Sequence, residues 1–149
     1  MTKKISQKEK VVHVLAHLKR NRLMTLGTST GNKPWAATVF FAYDKNLEIL
    51  FYSREDTRHC MQIRKNPHVS VVVNHDWQGK NGHIRGLQIT GRAAAVPQKK
   101  HAHYYAIYRS RFPWADKFTS DHRLYRIIPR EVWYIDETLF GHFHRVRII

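Results

Sequence analysis

The chain has 149 residues, enough for one domain with a buried core, and 42% of them are hydrophobic, which argues against a disordered chain. Lysine and arginine number 26 against 11 acidic residues, a formal net charge of +15 that attracts anions: nucleic acid, anionic lipid or phosphorylated small molecules. The single cysteine, Cys60, excludes an intrachain disulfide, and no run approaches the roughly 20 apolar residues of a membrane span. No apolar stretch of the length secretion needs follows the basic first residues, so the chain is read as cytoplasmic, with no membrane partner.

Ser6-Gln-Lys-Glu9 fits a capping box, and Val11, Val14, Leu15 and Leu18 recur behind it at helical spacing, which predicts a helix from about residue 6 to 21. Lys19, Arg20 and Arg22 crowd its end, where cations suit the helix dipole. Short β-type runs follow at Leu23 to Thr28, Pro34 to Tyr43 and Leu47 to Tyr52. The turn clusters at 29–33 and 44–46 separate them and suggest an antiparallel meander. Asp56 or Thr57 can cap a short helix running to Lys65, which Asn66-Pro67 stops.

Val69 to Asn74 reads as an apolar strand, 77–82 as a loop, and Ile84 to Val96 as a long strand. Gly86 and Gly91 lie inside that strand, as in a bent or bulged barrel strand. Gln98 to Arg109 reads as a helix, Phe112-Pro-Trp114 as irregular, and 123–128 and 131–135 as one or two final strands around Pro129. Strands in runs, interrupted by single helices, indicate a mainly β, α+β barrel and not βαβ repetition. No repeat or long linker divides residues 1–149, which are therefore assigned to one domain.

The residues Tyr52-Ser53-Arg-Glu-Asp-Thr57-Arg58-His59 join a strand end to a helix start. The first turn of a helix offers free N–H groups and the positive end of the dipole, which suits an anion. Ser53 and Thr57 add hydroxyls, Arg58 a guanidinium fork, and His59 a further donor. The alternative is an ordinary capped helix whose charges are solvated, with Glu55 and Asp56 repelling an anion.

Order and spacing carry a resemblance over residues 22 to 96. Gly31-Asn-Lys-Pro34 precedes a strand. Then come Phe51-Tyr-Ser-x-x-x-Thr57-Arg58-His59, Ile63-x-x-Asn66-Pro67-x-Val-Ser-Val-Val and Gly86-x-x-x-x-Gly91-Arg-Ala93. The pattern resembles the pyridoxamine-phosphate oxidase-like proteins of the FMN-binding split β-barrel superfamily. The segment Tyr108-x-x-Arg-Phe-Pro113 is similar to a small bacterial branch of it. The resemblance implies a six-stranded antiparallel split β-barrel with flanking helices, forming a homodimer with FMN at the subunit interface. It implies an isoalloxazine ring along Trp35, Ala36, Ala37, Thr38 and Val39, and a phosphate held near Tyr52, Ser53, Thr57, Arg58 and His59, with Arg85 and Gln88 as further cofactor-binding candidates. His59 stands where the family has lysine, and Ala37 about where the oxidase proper has arginine.

Three functions follow. The first is an FMN-dependent oxidoreductase acting on a small molecule that the sequence does not name, with no catalytic acid or base evident. The second is a non-enzymatic flavin- or haem-binding module on the same fold. The third is a basic nucleic-acid-binding protein, motivated by charge and interleaved aromatics. Trp114 and Phe112 could stack on a flavin or nucleobase, or serve as a flap or dimer contact. Cys60 is either a thiol of lowered pKa at a helix start or a core residue. His142 and His144 would share a face of a strand, but two ligands do not make a metal site, and no metal is expected.

Overall fold

Ser6 opens the first helix with a reciprocal cap. In the computed structural model, which describes residues 4–76 and 83–149, the Ser6 hydroxyl accepts from the Glu9 N–H at 3.2 Å and the Ser6 N–H donates to the Glu9 carboxylate at 2.8 Å. Helix α1 (Gln7–Arg20) buries Val14, His17 and Leu18 and lays Val11 and Leu15 against the same core. It packs on one antiparallel sheet: β1 (Leu23–Thr30), β2 (Lys33–Phe40), β3 (Ala42–Tyr43), β4 (Ile49–Arg54), β5 (His68–Asn74), β6 (Arg85–Ala95), β7 (His122–Asp136) and β8 (Arg145–Arg147). The strand order is β2-β1-β5-β6-β7-β4-β3, with β8 paired to β7. The loop expected at 77–82 lies outside the described residues.

This is a split-barrel fold of the α+β class, a curled antiparallel sheet with flanking helices. Eight strands occur among the described residues where six were expected, because of two short pieces. The expected strand 34–43 breaks at Phe41, whose N–H still donates to the Arg22 carbonyl at 3.0 Å in register with β1. Residues 42–43 then pair with β4 instead of β1. At the other end of the chain, residues 145–147 add a three-residue strand to β7.

Of the one or two strands read around Pro129 the structure has one, β7, which runs through the proline. Pro129 has no N–H to donate, and a proline inside a sheet sits at bulges or edges. Here the β6–β7 register shifts between Thr90 and Gly91, and Gly91 faces Pro129. A Cβ on Gly91 would lie 2.5 Å from the Ile128 carbonyl oxygen, so only glycine allows the two strands to stay paired through the bulge. The β1–β2 hairpin turns on Gly31 and Asn32 at φ +53° and +60°, the left-handed pair that a two-residue hairpin loop needs.

Two clusters hold the sheet. The larger fills the concave side with Leu26, Phe51, Val71, Leu87, Ile127 and Tyr134. The smaller lies under helix α3 (Gln98–Arg111), where Leu50, Val96, Tyr108, Phe112 and Leu124 meet. Helix α3 therefore covers the outer side of β3 and β4. Across β1, β5 and β6 the outer positions Thr25, Ser70, Gln88 and Thr90 remain exposed. The short α4 (Glu137–Phe140) was not legible in advance; the Asp136 carboxylate caps it by accepting from the N–H groups of Thr138 and Leu139.

Candidate functional site

Helix α2 (Arg58–Lys65) begins where β4 ends, and its cap is built from side chains of the turn. The Thr57 hydroxyl donates to the Arg54 carbonyl at 2.9 Å and accepts from the Cys60 N–H at 3.4 Å. His59 Nε2 lies 3.0 Å from Ser53 Oγ and 3.3 Å from Thr57 Oγ1. Burial holds this imidazole below its ordinary pKa, so it is mostly neutral at pH 7. His59 thus sets the geometry of Ser53 and Thr57 and brings no positive charge to the turn. Asp56 does not face an incoming anion unopposed, because Arg54 grips both its carboxylate oxygens, at 3.0 and 2.7 Å.

The open donors at this turn are specific. Among the described residues nothing accepts from the backbone N–H groups of Arg58 or His59, the first two of the helix. The Arg58 guanidinium has no carboxylate partner there either; it lies over the Trp35 indole, 4.3 Å from the ring centroid. Trp35 is fixed by its register, opposite Thr28 in β1. The Thr28 hydroxyl donates to Gln62 Oε1 of α2 at 2.6 Å. Asn66 Nδ2 donates to the Ser29 carbonyl at 3.1 Å and bolts the end of α2 to the same hairpin. Strand β2 and helix α2 are therefore held side by side, with Arg58 and Trp35 at the junction.

Arg58, Gln62 and Lys65 line a cavity of about 280 Å³ beside this junction. Trp35 and Ala36 line a larger groove of about 990 Å³ that runs along the outer sheet face past His68, Ser70, Arg130 and Arg147. Strand β2 ends the sheet and pairs only with β1 among the described residues, so one side of its backbone stays open to a ligand. Along it, Trp35, Ala37 and Val39 pair with the buried Thr28, Leu26 and Met24 and share their face. Ala36 and Thr38 point to the other face, opposite Gly27 and Thr25.

The remaining sequence candidates lie elsewhere. Tyr52 alternates away from Ser53 and packs edge-on against Tyr105, Tyr108 and His122, with ring centroids 5.3–5.8 Å apart, under α3. Arg85 sits at the far end of β6, 3.8 Å from the Asp136 carboxylate. Gln88 is on the outer face three strands from β2, where its Oε1 accepts from Arg145 Nε at 3.0 Å. Trp114 and Phe112 gather at Phe40, the opposite end of β2 from Trp35. Cys60 is buried, and burial pushes its thiol pKa up, which makes it a core residue. His142 and His144 flank a turn at Phe143 (φ +63°), not a strand, and His142 pairs with Glu137. Sequence reading did not single out Gln62 and Lys65, although with Arg58 they recur at i, i+4 and i+7 and so share one face of α2. Arg130 and Arg147 come from two distant strands, and no local spacing announces them.

No helix of the described residues is long and apolar enough to cross a membrane. Residues 12–136 match the family model of pyridoxamine 5′-phosphate oxidase. A UPF0306 protein of Campylobacter jejuni is 28% identical over 76% of this chain and 80% of its own. Among solved structures, an FAD-binding protein from Mesorhizobium loti superposes with TM-score 0.70 at 20% identity, over 84% of this chain and 91% of that one. A haem-binding protein from Mycobacterium smegmatis gives TM-score 0.78 at 15% identity, over 98% of this chain. This chain spans 60% of that mycobacterial protein, and 56% of an Agrobacterium tumefaciens protein that matches with TM-score 0.74 at 22% identity over 85% of this chain. These structural likenesses establish the fold, and the match over most of the length establishes the family: the chain belongs to the pyridoxamine 5′-phosphate oxidase family.

Proposed function

We propose that the protein binds FMN at the junction of β2 and α2 and works as a flavin-dependent oxidoreductase on a small molecule. The observation that carries this reading is the pair of unpartnered N–H groups at the start of α2, beside an arginine without a carboxylate. A phosphate monoester fits such a donor set: two backbone N–H groups, the helix dipole and a guanidinium fork. Arg58 and the first turn would hold the phosphate, while Ser53, Thr57 and the neutral His59 keep the turn in shape. The open edge of β2 from Trp35 to Val39 would orient the ring, with Arg85 and Gln88 outside this contact. Bound FMN supplies hydride acceptance and return, and the protein supplies position and field.

A homodimer completes this reading. The outer face of β1, β2, β5 and β6 is uncovered, and Leu23 and Phe40 are exposed at its margin. A second copy on that face would bring the large groove to the subunit interface and shield the ring from water. The lone cysteine and the absence of a long apolar helix in the described part suit a cytoplasmic flavoprotein.

A second reading is a haem-binding module. It is favoured by His68, which lines the large groove together with Arg130 and Arg147, an imidazole and two cations suited to iron and propionates. The nucleic-acid reading rests on charge and ranks third.

Titration of the purified protein tests the proposal. Saturable uptake of one FMN per subunit, seen as quenched flavin fluorescence, is expected. No uptake of FMN together with a Soret shift on haem addition would replace the first reading by the second.

A further inference from the structure

A second cavity, of about 750 Å³, opens between the end of α1, strand β3 and helix α3, away from the flavin junction. Its polar rim carries three cations, Lys19, Arg22 and Arg111, together with His103 and Ser110. Its floor is Tyr43, Ile107 and small apolar residues, and no carboxylate lines it. The acids on neighbouring elements are engaged elsewhere. Asp44 accepts from the N–H groups of Asn46 and Glu48, and Glu48 takes the Tyr104 hydroxyl at 3.0 Å and lies 3.7 Å from Arg126.

Arg111 is used on one side only. Its Nη2 donates to the carbonyls of Leu18, at 3.0 Å, and of Asn21, closing the end of α1. Its Nε and Nη1 donate to nothing among the described residues. The guanidinium carbon sits 4.9 Å and 5.2 Å from the ring centroids of Phe41 and Tyr43, so the group is held in place. Burial lowers its pKa, and the like charge of Arg22 acts in the same direction. Neither Lys19 nor Arg22 has an ion-pair partner among the described residues.

We propose that this cavity binds a small organic oxyanion, a phosphate or carboxylate head on an apolar body. The head is met by Lys19, Arg22 and the unused edge of Arg111, and the body lies against Tyr43 and Ile107. The geometry supplies a held fork and two exposed cations beside an apolar floor, in a volume within the range of small-molecule pockets. Bringing three like charges together costs free energy that an anion recovers.

Phenyl phosphate is the probe, with inorganic phosphate and phenol as controls, followed by amide chemical shifts. Saturable shifts around residues 19–22, 42–43 and 103–111 are expected, with phenyl phosphate at least about tenfold tighter than either control, since each control lacks one half of the recognition. The double variant K19Q/R22Q should lose about tenfold or more in affinity through its missing charge-assisted contacts. Ala106→Glu, which sets a carboxylate in the cavity at an exposed helical position, should abolish binding. Both variants should retain the wild-type melting curve and FMN titration, which separates this site from the flavin junction. Unsaturable shifts, or equal affinity in K19Q/R22Q, would overturn the proposal. So would a single-stranded oligonucleotide shifting the same residues while phenyl phosphate does not.

Discussion

Replacing Arg58 by alanine removes one guanidinium and leaves the fold nearly untouched. The side chain is exposed, and its only described contact is the face of Trp35, 4.3 Å away. An exposed cation–π contact contributes about 0.5–1 kcal/mol. In a domain of this size that lowers the melting temperature by roughly 2–4 °C at most. Against a phosphate the same guanidinium makes charge-assisted hydrogen bonds, whose removal costs about 1.5–3 kcal/mol, or about ten- to a hundredfold in affinity. Arg58→Ala should therefore bind FMN ten- to a hundredfold more weakly in a fluorescence titration while melting almost as the parent does. Arg58→Lys keeps the charge and loses the fork, so it should fall between the two. Loss should also steepen at low salt, where the unscreened phosphate interaction is strongest. An unchanged FMN affinity in a normally folded Arg58→Ala protein would remove the anchor and refute the reasoning.

His17 is fully buried, bonds the Val73 carbonyl through Nε2 at 2.7 Å, and has no partner for Nδ1. Burial depresses its folded-state pKa, as it does for His59, so both contribute stability that is complete above about pH 6.5 and is lost as pH falls below it. Urea midpoints should drop between pH 7.5 and 5.5 and drop less in His17→Leu; equal midpoints in the parent at both pH values would contradict this. Gly91→Ala places a methyl 2.5 Å from the Ile128 carbonyl oxygen and 3.0 Å from Ile127 Cγ2, an overpacking that should cost about 1–3 kcal/mol in chemical denaturation. A stability equal to the parent would mean that the β6–β7 bulge relaxes freely.

Elements whose cause is local were readable from the sequence. Ser6 and Glu9 form the expected capping box, Thr57 caps α2, and Asn66-Pro67 ends it. The elements that failed depend on partners distant in the chain. Pro129 looks like a strand terminator until Gly91 is known to face it across the register shift. Phe41 looks like mid-strand until residues 42 and 43 are seen to pair with β4, which marks the corner from β2 to β3. The two histidines read as sharing a strand face fall instead in the turn that precedes β8, where Glu137 takes His142.

The junction of β2 and α2 shows the same division. Motif spacing put Trp35 on one strand and Arg58 on one helix, but only the register of Thr28 opposite Trp35, and the bond from Thr28 to Gln62, bring them together. Motif spacing also equated His59 with a family lysine, which by position alone suggests a weaker cation. Burial gives it another role. A lysine at a site 8% exposed would be costly to charge, whereas a neutral imidazole can bond Ser53 and Thr57 at once. The positive charge of this turn then falls to Arg58 and the helix end, and the shape of the turn to His59. A change at Arg58 should therefore act on ligand affinity first, and a change at His59 on the order of the cap that presents the two N–H groups.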